Sequence, residues 1–378
     1  MIAKLSALLR HLGTKFSTPR FSRWEVVIMR VLFAYVIYQS MPLDKPFNAA
    51  GMAFLEKVAP AAAVKVKEDF RYPLFGIRPP FFPLIEAMPG TTGKIEYSDT
   101  PVPVGIARTA WGASFVKLFN DEAFVTKVLP WFVFGALALY VSGYGLPVAL
   151  PILTLISIGS RTLFNSQGRI HHGFQIISLV LLAQTVVILW QVWKNWRVAM
   201  GVKKAADDAY GRNFWDYLFR WSQLAIIAAY VIAGVIKPIQ SKGQWFANSH
   251  FIGVQIVKTH RQNYYNALDP ALKDRDVPLA RDFMYERKNM WRLLMSMGVL
   301  LEIFAFLALY NRWMMAGVGF AMIMFHYMND TFMELYFYNN EKMLWIFLVN
   351  IPGLVIGLMQ LLKKRGSPPA SDVVPVAA

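Results

Sequence analysis

The sequence predicts an all-α integral membrane protein of about eight transmembrane helices with two long external loops. Three observations carry that expectation. First, 56% of the 378 residues are hydrophobic, with 28 Phe and 12 Trp, an aromatic load far above that of an ordinary soluble domain. Second, apolar stretches of 16 to 24 residues recur along the chain, close to the length that crosses a hydrocarbon core. Third, lysine and arginine gather between alternate stretches, as the positive-inside rule requires of a multi-pass protein.

The stretches follow in order. A basic segment, 1–23, carrying Lys4, Arg10, Lys15, Arg20 and Arg23, leads into the first, 24–40. It has no short apolar core with a small-residue cleavage site, so the first stretch is expected to stay as an anchor. The second, 127–142, turns through Gly143-Tyr144-Gly145 into the third, 145–161, which Pro147 and Pro151 interrupt; the two read as a helical hairpin. The fourth, 170–193, is followed by Lys194, Arg197, Lys203, Lys204 and Arg212, and then by the fifth, 217–237. Arg312 sits between the sixth, 292–310, and the seventh, 313–329; Lys363-Lys364-Arg365 follow the eighth, 343–362. With both termini cytoplasmic, all these cations lie inside, and the long segments 41–126 and 238–291 lie outside, where the rule does not bind them. The domain plan is a basic N-terminus (1–23), one transmembrane domain (24–362) in the plasma membrane and a disordered cytoplasmic tail (363–378).

Composition also excludes classes. The formal charge of +16 is accounted for by orientation, so nucleic acid is not expected as a partner. Without cysteine there is no disulfide, thiolate nucleophile or Cys-ligated metal. Membrane lipid is the expected surrounding, a lipid-soluble quinone a candidate ligand, and 41–126 the candidate contact for a protein partner.

The polar residues of the apolar stretches concentrate at one level. Lys237 closes the fifth, His171 and His172 open the fourth, and His326 and Asn329 close the seventh, all at outer ends. A lysine held where water is scarce can give up its proton and act as a base, provided no carboxylate lies close; Asp330 and Glu334 are the candidates to interfere. Each residue also has a plain reading, with Lys237 snorkelling and the histidines capping or packing. Metal is not expected, since adjacent histidines on a helix diverge by about 100° and no carboxylate–histidine spacing accompanies them. Arg30 and Glu302, inside the first and sixth stretches, are expected to be structural buried charges, paired with each other or with a polar neighbour.

At these residues the sequence resembles the membrane domain of the vitamin K-dependent γ-glutamyl carboxylases and their bacterial relatives, the horizontally transferred transmembrane (HTTM) proteins. The similar pieces are Arg30, Ile170-His171-His172-Gly173-Phe174, Phe214-Trp215-Asp216-Tyr217, and Tyr230–Lys237 with Trp245 beyond it. Leu300-Leu301-Glu302 and Phe325-His326-Tyr327-Met328-Asn329 complete the set, which covers roughly 20–350. The resemblance implies that Lys237 deprotonates a reduced, vitamin K hydroquinone-like quinone and that His172 assists. Trp245, His326 and Asn329 then bind the quinone. The activity implied is quinol-dependent oxidation or carboxylation at the external face, of lyase or oxidoreductase type. This chain departs from the family in four respects: Ile236 replaces the first lysine of a pair, Pro238 follows Lys237, the interval to Trp245 is longer, and Asn248 stands where many relatives have glycine. The carboxylases also carry a large extramembrane C-terminal region that has no counterpart after 362 here. The alternative reading is a non-catalytic membrane subunit that binds lipid or quinone or organises a partner. Nothing points to the paired broken helices or inverted repeats of a transporter.

Overall fold

Where it is described, each of the eight apolar stretches is largely helical in the computed structural model, which describes residues 21–41, 123–165, 172–199, 214–267, 277–333 and 335–366, with 114, 118 and 121 between. Among the described residues there is no strand. The expected loop 41–126 and the tail beyond 366 lie almost wholly outside them. The chain divides into two units, one of residues 34–203 and one of 1–33 with 204–378; helix α1 (Arg23–Ser40) carries the division.

In the first unit, a π turn at Phe124–Val128 leads into α2 (Leu129–Ser142). Gly143, at φ 84°, stops that helix in the left-handed conformation that costs glycine least, and its N–H closes on the Leu139 carbonyl at 3.0 Å. The chain then turns back as α3 (Leu146–Asn165), completing the expected hairpin. The prolines do not interrupt it. Pro147 falls in the first turn, where no N–H is needed, and the helix continues through Pro151. Helix α4 (Gln175–Ala199) follows a 3₁₀ turn at His172–Phe174 and packs along α3. Hydroxyl pairs join the two helices, Thr154 to Thr185 at 2.6 Å and Ser157 to Ser178 at 2.7 Å, as suits neighbours with little apolar driving force between them. Arg161 donates to the Ser40 carbonyl and lies over the Phe174 ring, 3.6 Å from its centroid.

The second unit contains α5 (Phe214–Gln240), α9 (Lys288–Ile303, continued by a 3₁₀ segment, Phe304–Leu309), α10 (Arg312–Met333), α11 (Tyr338–Leu344) and α12 (Ile351–Gly366). Between α5 and α9 the sequence suggested only loop. The structure instead places α6 (Trp245–Asn248), α7 (Gly253–Ala267) and α8 (Pro278–Arg281) there, closed by a π turn at Asp282–Glu286. Their core is Ile256, Ala280, Phe283, Trp291, Met295 and Met333, with Phe283 stacked on Trp291 at 3.7 Å between ring centroids. Gly253 is needed for this packing, because a Cβ there would stand 2.9 Å from the Ala280 carbonyl oxygen.

The buried residues of α10 are Met315, Gly319, Met322, Ile323, His326, Asn329 and Met333. Spaced mostly three and four apart, they form one stripe of a 3.6-residue helix. Trp291, Met295, Gly298, Val299 and Glu302 make the matching stripe on α9. Polar His326, Asn329 and Glu302 thus sit on the inward face of otherwise apolar helices. Elsewhere the surface is apolar, with Trp131, Leu155, Ile239, Leu293 and Met359 all well exposed. Such a surface suits lipid, not water.

Three helical runs, Gln175–Trp196, Trp215–Gln240 and Lys288–Leu309, are long and apolar enough to cross a membrane. A fourth span exists if Tyr338–Val349 and Ile351–Met359 count as one, bent by 43°. The bend falls at Asn350, whose φ of 55° is left-handed and breaks the helical ladder. The protein is therefore an all-helical membrane protein with three to four helices of spanning length among the described residues.

Candidate functional site

Lys237 makes an ion pair with Glu302. The sequence explains how two helices far apart in the chain bring these groups together. Gly234 lies one turn before Lys237, and a Cβ at Gly234 would stand 2.8 Å from both the Glu302 Cβ and the Ile303 backbone nitrogen. Only glycine lets α5 and α9 approach so closely. The lysine one turn on then faces the α9 residue that the crossing presents. Its side chain is 30% exposed and that of Glu302 is 8% exposed, so the pair has a wet end and a dry end.

A tight turn at the end of α5 positions the next group. Pro238 has no N–H to offer the Gly234 carbonyl, but the helix runs on to Gln240 before the chain turns. Lys242 and Gly243 take φ values of 50° and 80°, and the Gly243 N–H closes on the Pro238 carbonyl at 2.8 Å. The reversal sets the Trp245 ring 5.9 Å from the Lys237 ammonium, within cation–π range. The indole Nε1 is buried without a hydrogen-bond partner.

His326 lies 4% exposed on α10, with Phe337 beside its ring at 4.8 Å between centroids. Its Nε2 is 2.7 Å from the Tyr230 hydroxyl. Tyr230 also hydrogen-bonds the Asn340 side chain, whose own Oδ1 is unpartnered. The Tyr230 hydroxyl can donate to His326 Nε2 or accept from it, according to the imidazole tautomer. The other ring nitrogen, Nδ1, is buried without a hydrogen-bond partner. Asn329, one turn along, leaves its Oδ1 buried and unpartnered as well. Lys237 is within electrostatic reach of His326, and Glu302 and Glu341 of Tyr230.

The predicted residues are thus partly assembled. Lys237, Trp245, Glu302, His326 and Asn329 belong to one unit, with the first three in direct array. His172 belongs to the other unit and only its backbone is described, while His171 and Glu334 lie outside the described residues. Arg30 is buried with its guanidinium over the Trp215 ring at 4.5 Å; the partner of Glu302 is Lys237. A carboxylate is therefore present on Lys237, and it comes from α9. Tyr230, Asn340 and Phe337 were not singled out by sequence reasoning. Tyr230 carried a usable signal: positions 230, 234 and 237 recur on one face of α5, the face that meets α9.

Among the described residues no three His, Cys, Asp or Glu side chains are grouped to hold a metal ion. Trp245 Nε1, His326 Nδ1 and Asn329 Oδ1 are buried polar atoms without partners, and each could hydrogen-bond an oxygen of a bound ligand. No protein-family model, curated protein or solved structure matches the chain.

Proposed function

We propose that this chain crosses the plasma membrane eight times, with both termini cytoplasmic, and carries at its outer side a proton-transfer site for a lipid-soluble hydroquinone, as its resemblance to the carboxylase and HTTM family implies. The observation that carries the reading is the half-buried Lys237–Glu302 pair beside the Trp245 ring, in the same unit as the unpartnered buried polar atoms of Trp245, His326 and Asn329. Trp245, His326 and Asn329 would hold the ring oxygens. A hydroquinone so bound supplies reducing electrons once its hydroxyl proton is removed.

The chain's own residues move that proton. An ion-paired ammonium is no base, but in a low-dielectric setting the proton it shares with Glu302 can pass to the carboxylate. The free Lys237 amine then takes the proton of the ligand hydroxyl. One O–H bond breaks at the ligand and one N–H bond forms at Lys237. The proton Lys237 gave up rests on Glu302, and the restored ammonium balances the negative charge left behind. Whether the electrons go to oxidation or to carboxylation of a further substrate depends on groups that the Lys237 site does not contain.

The test is oxygen uptake by protein in nanodiscs supplied with a reduced short-chain naphthoquinone. Turnover is expected in the parent chain. It is expected to vanish in Lys237→Ala, in Glu302→Gln and in Lys237→Arg, since guanidinium keeps its proton at neutral pH. An inert parent chain, or a fully active Lys237→Arg, would favour the second reading, a non-catalytic membrane subunit. The Gly234 helix crossing supports that alternative, because the same ion pair would clamp α5 to α9 without any chemistry.

A further inference from the structure

A cavity lies away from Lys237. It encloses about 520 Å³ between α5, α10, the π turn Trp345–Val349 and α12, and is lined by Gln223, Arg312, Trp313, Leu348, Asn350 and Leu358 among others. Its volume is that of a small-molecule site. Trp313, 80% exposed, and Leu358, well exposed, border it, so it opens at the apolar surface.

One polar atom in its wall lacks a partner. Gln223 is 1% exposed, and its Nε2 donates to the Phe347 carbonyl at 2.9 Å. That carbonyl needs an outside donor, because residue 352, next in the π register, is a proline without an N–H. The Phe347 oxygen can only accept, so the Gln223 amide cannot be flipped, and its Oε1 must be the other end. Oε1 is buried and without a hydrogen-bond partner. Such an acceptor is costly to leave unmet in an apolar wall.

The charges of the cavity are already matched. Arg312 pairs with Glu25, which also accepts from the Asn350 amide at 3.1 Å and from the Ser22 N–H. Gly353 completes this node, since a Cβ there would strike the Glu25 carboxylate and the Asn350 amide. With cation and anion paired, the cavity has no net charge to attract an anionic or cationic head. The chemistry left is one hydrogen-bond acceptor at the base of an apolar chamber.

We propose that this cavity is a binding site for an uncharged amphiphile that presents a hydroxyl group to Gln223 Oε1. Quinols and lipid alcohols share that chemistry. The site is independent of the proton-transfer reading at Lys237 and stands if that reading fails.

The probes are a brominated alkylphenol and its methyl ether, added to the full chain in nanodiscs of a saturated phosphatidylcholine. Trp313 quenching by the bromine reports occupancy, with Trp313→Phe correcting for other tryptophans. The phenol should bind about tenfold more tightly than the ether, the range of one hydrogen bond to an otherwise unmet buried acceptor. The ratio should fall to about one in Gln223→Leu. Gly357→Phe, placed where a Cβ meets nothing within 4 Å, should abolish quenching by both probes while keeping the acceptor and the fold. Competition by a short-chain ubiquinol or by a diacylglycerol then identifies the source of the hydroxyl. Equal affinity of phenol and ether in the parent chain would overturn the proposal, as would quenching that survives Gly357→Phe.

Discussion

The Lys237–Glu302 pair shows how one residue's meaning depends on its neighbour. A membrane-edge lysine by itself is ambiguous between anchor and base. With a carboxylate on it, the resting state is charged on both sides, and removing one partner strands the other. Glu302→Leu or Lys237→Met alone should cost about 3 kcal/mol of stability, the scale for breaking a largely buried pair. The double variant Lys237→Met/Glu302→Leu should recover most of that loss, because two apolar side chains need no compensation. Thermal unfolding in detergent for the four proteins, read as a double-mutant cycle, tests this. Additive losses would mean that the two groups do not act on each other.

At the scale of helices, the α5–α9 crossing rests on Gly234. Gly234→Ala should destabilise by about 1–3 kcal/mol, the range for overpacking against a backbone that cannot yield, and should loosen the Lys237–Glu302 contact. A lowered Tm in detergent is the readout; an unchanged Tm would show that the crossing has slack. The segment α6–α8 makes a different prediction, about pH. Burial, together with Arg292 donating to its Nδ1 at 3.1 Å and Lys288 nearby, holds the His250 imidazole below the usual histidine range. Asp282 accepts from Arg287 Nε at 2.6 Å and from Trp291 Nε1 at 2.9 Å, and these donors hold its carboxyl below the usual aspartate range. In both cases the unfolded chain binds the proton more readily, so stability rises with pH. On acidification the segment should weaken first below about pH 6.5, as unfolded His250 gains its proton, and again below about pH 4 as Asp282 follows. Hydrogen exchange of residues 245–291 across that range is the measurement. His250→Gln should remove the first step and leave the second.

For the whole molecule, the topology is the sharpest expectation. With no native cysteine, single cysteines can be placed at will. Gln244→Cys avoids the strained Gly243 next to it and should label from outside, whereas Gly366→Cys should label from inside. Same-side labelling would reject the eight-span arrangement. The all-helical class was legible in the sequence, because apolar length and periodicity act locally and repeat. The helices at all eight apolar stretches followed from that, as did the hairpin at Gly143. The helices at 245–267 and 278–286 were missed because their polar residues read as loop, while their core forms only when Phe283, Trp291 and Met333 meet. The partner of Glu302 was missed for a similar reason. A helix crossing set by a glycine is a tertiary fact, and sequence spacing within one helix cannot name the helix it will touch.

The pairing of distant charges also sets an order of events during synthesis. Glu25 leaves the ribosome 287 and 325 residues before its partners Arg312 and Asn350. Lys237 likewise precedes Glu302 by 65 residues. Over that interval the nascent chain therefore holds an acidic group in α1, and for a shorter time a basic one at the end of α5, without the partner each has in the fold. Such a chain gains from shelter by the insertion machinery until the later helices arrive. A nascent chain halted before residue 312 should stay bound to that machinery or be degraded, and release into lipid should begin only once the later helices have emerged.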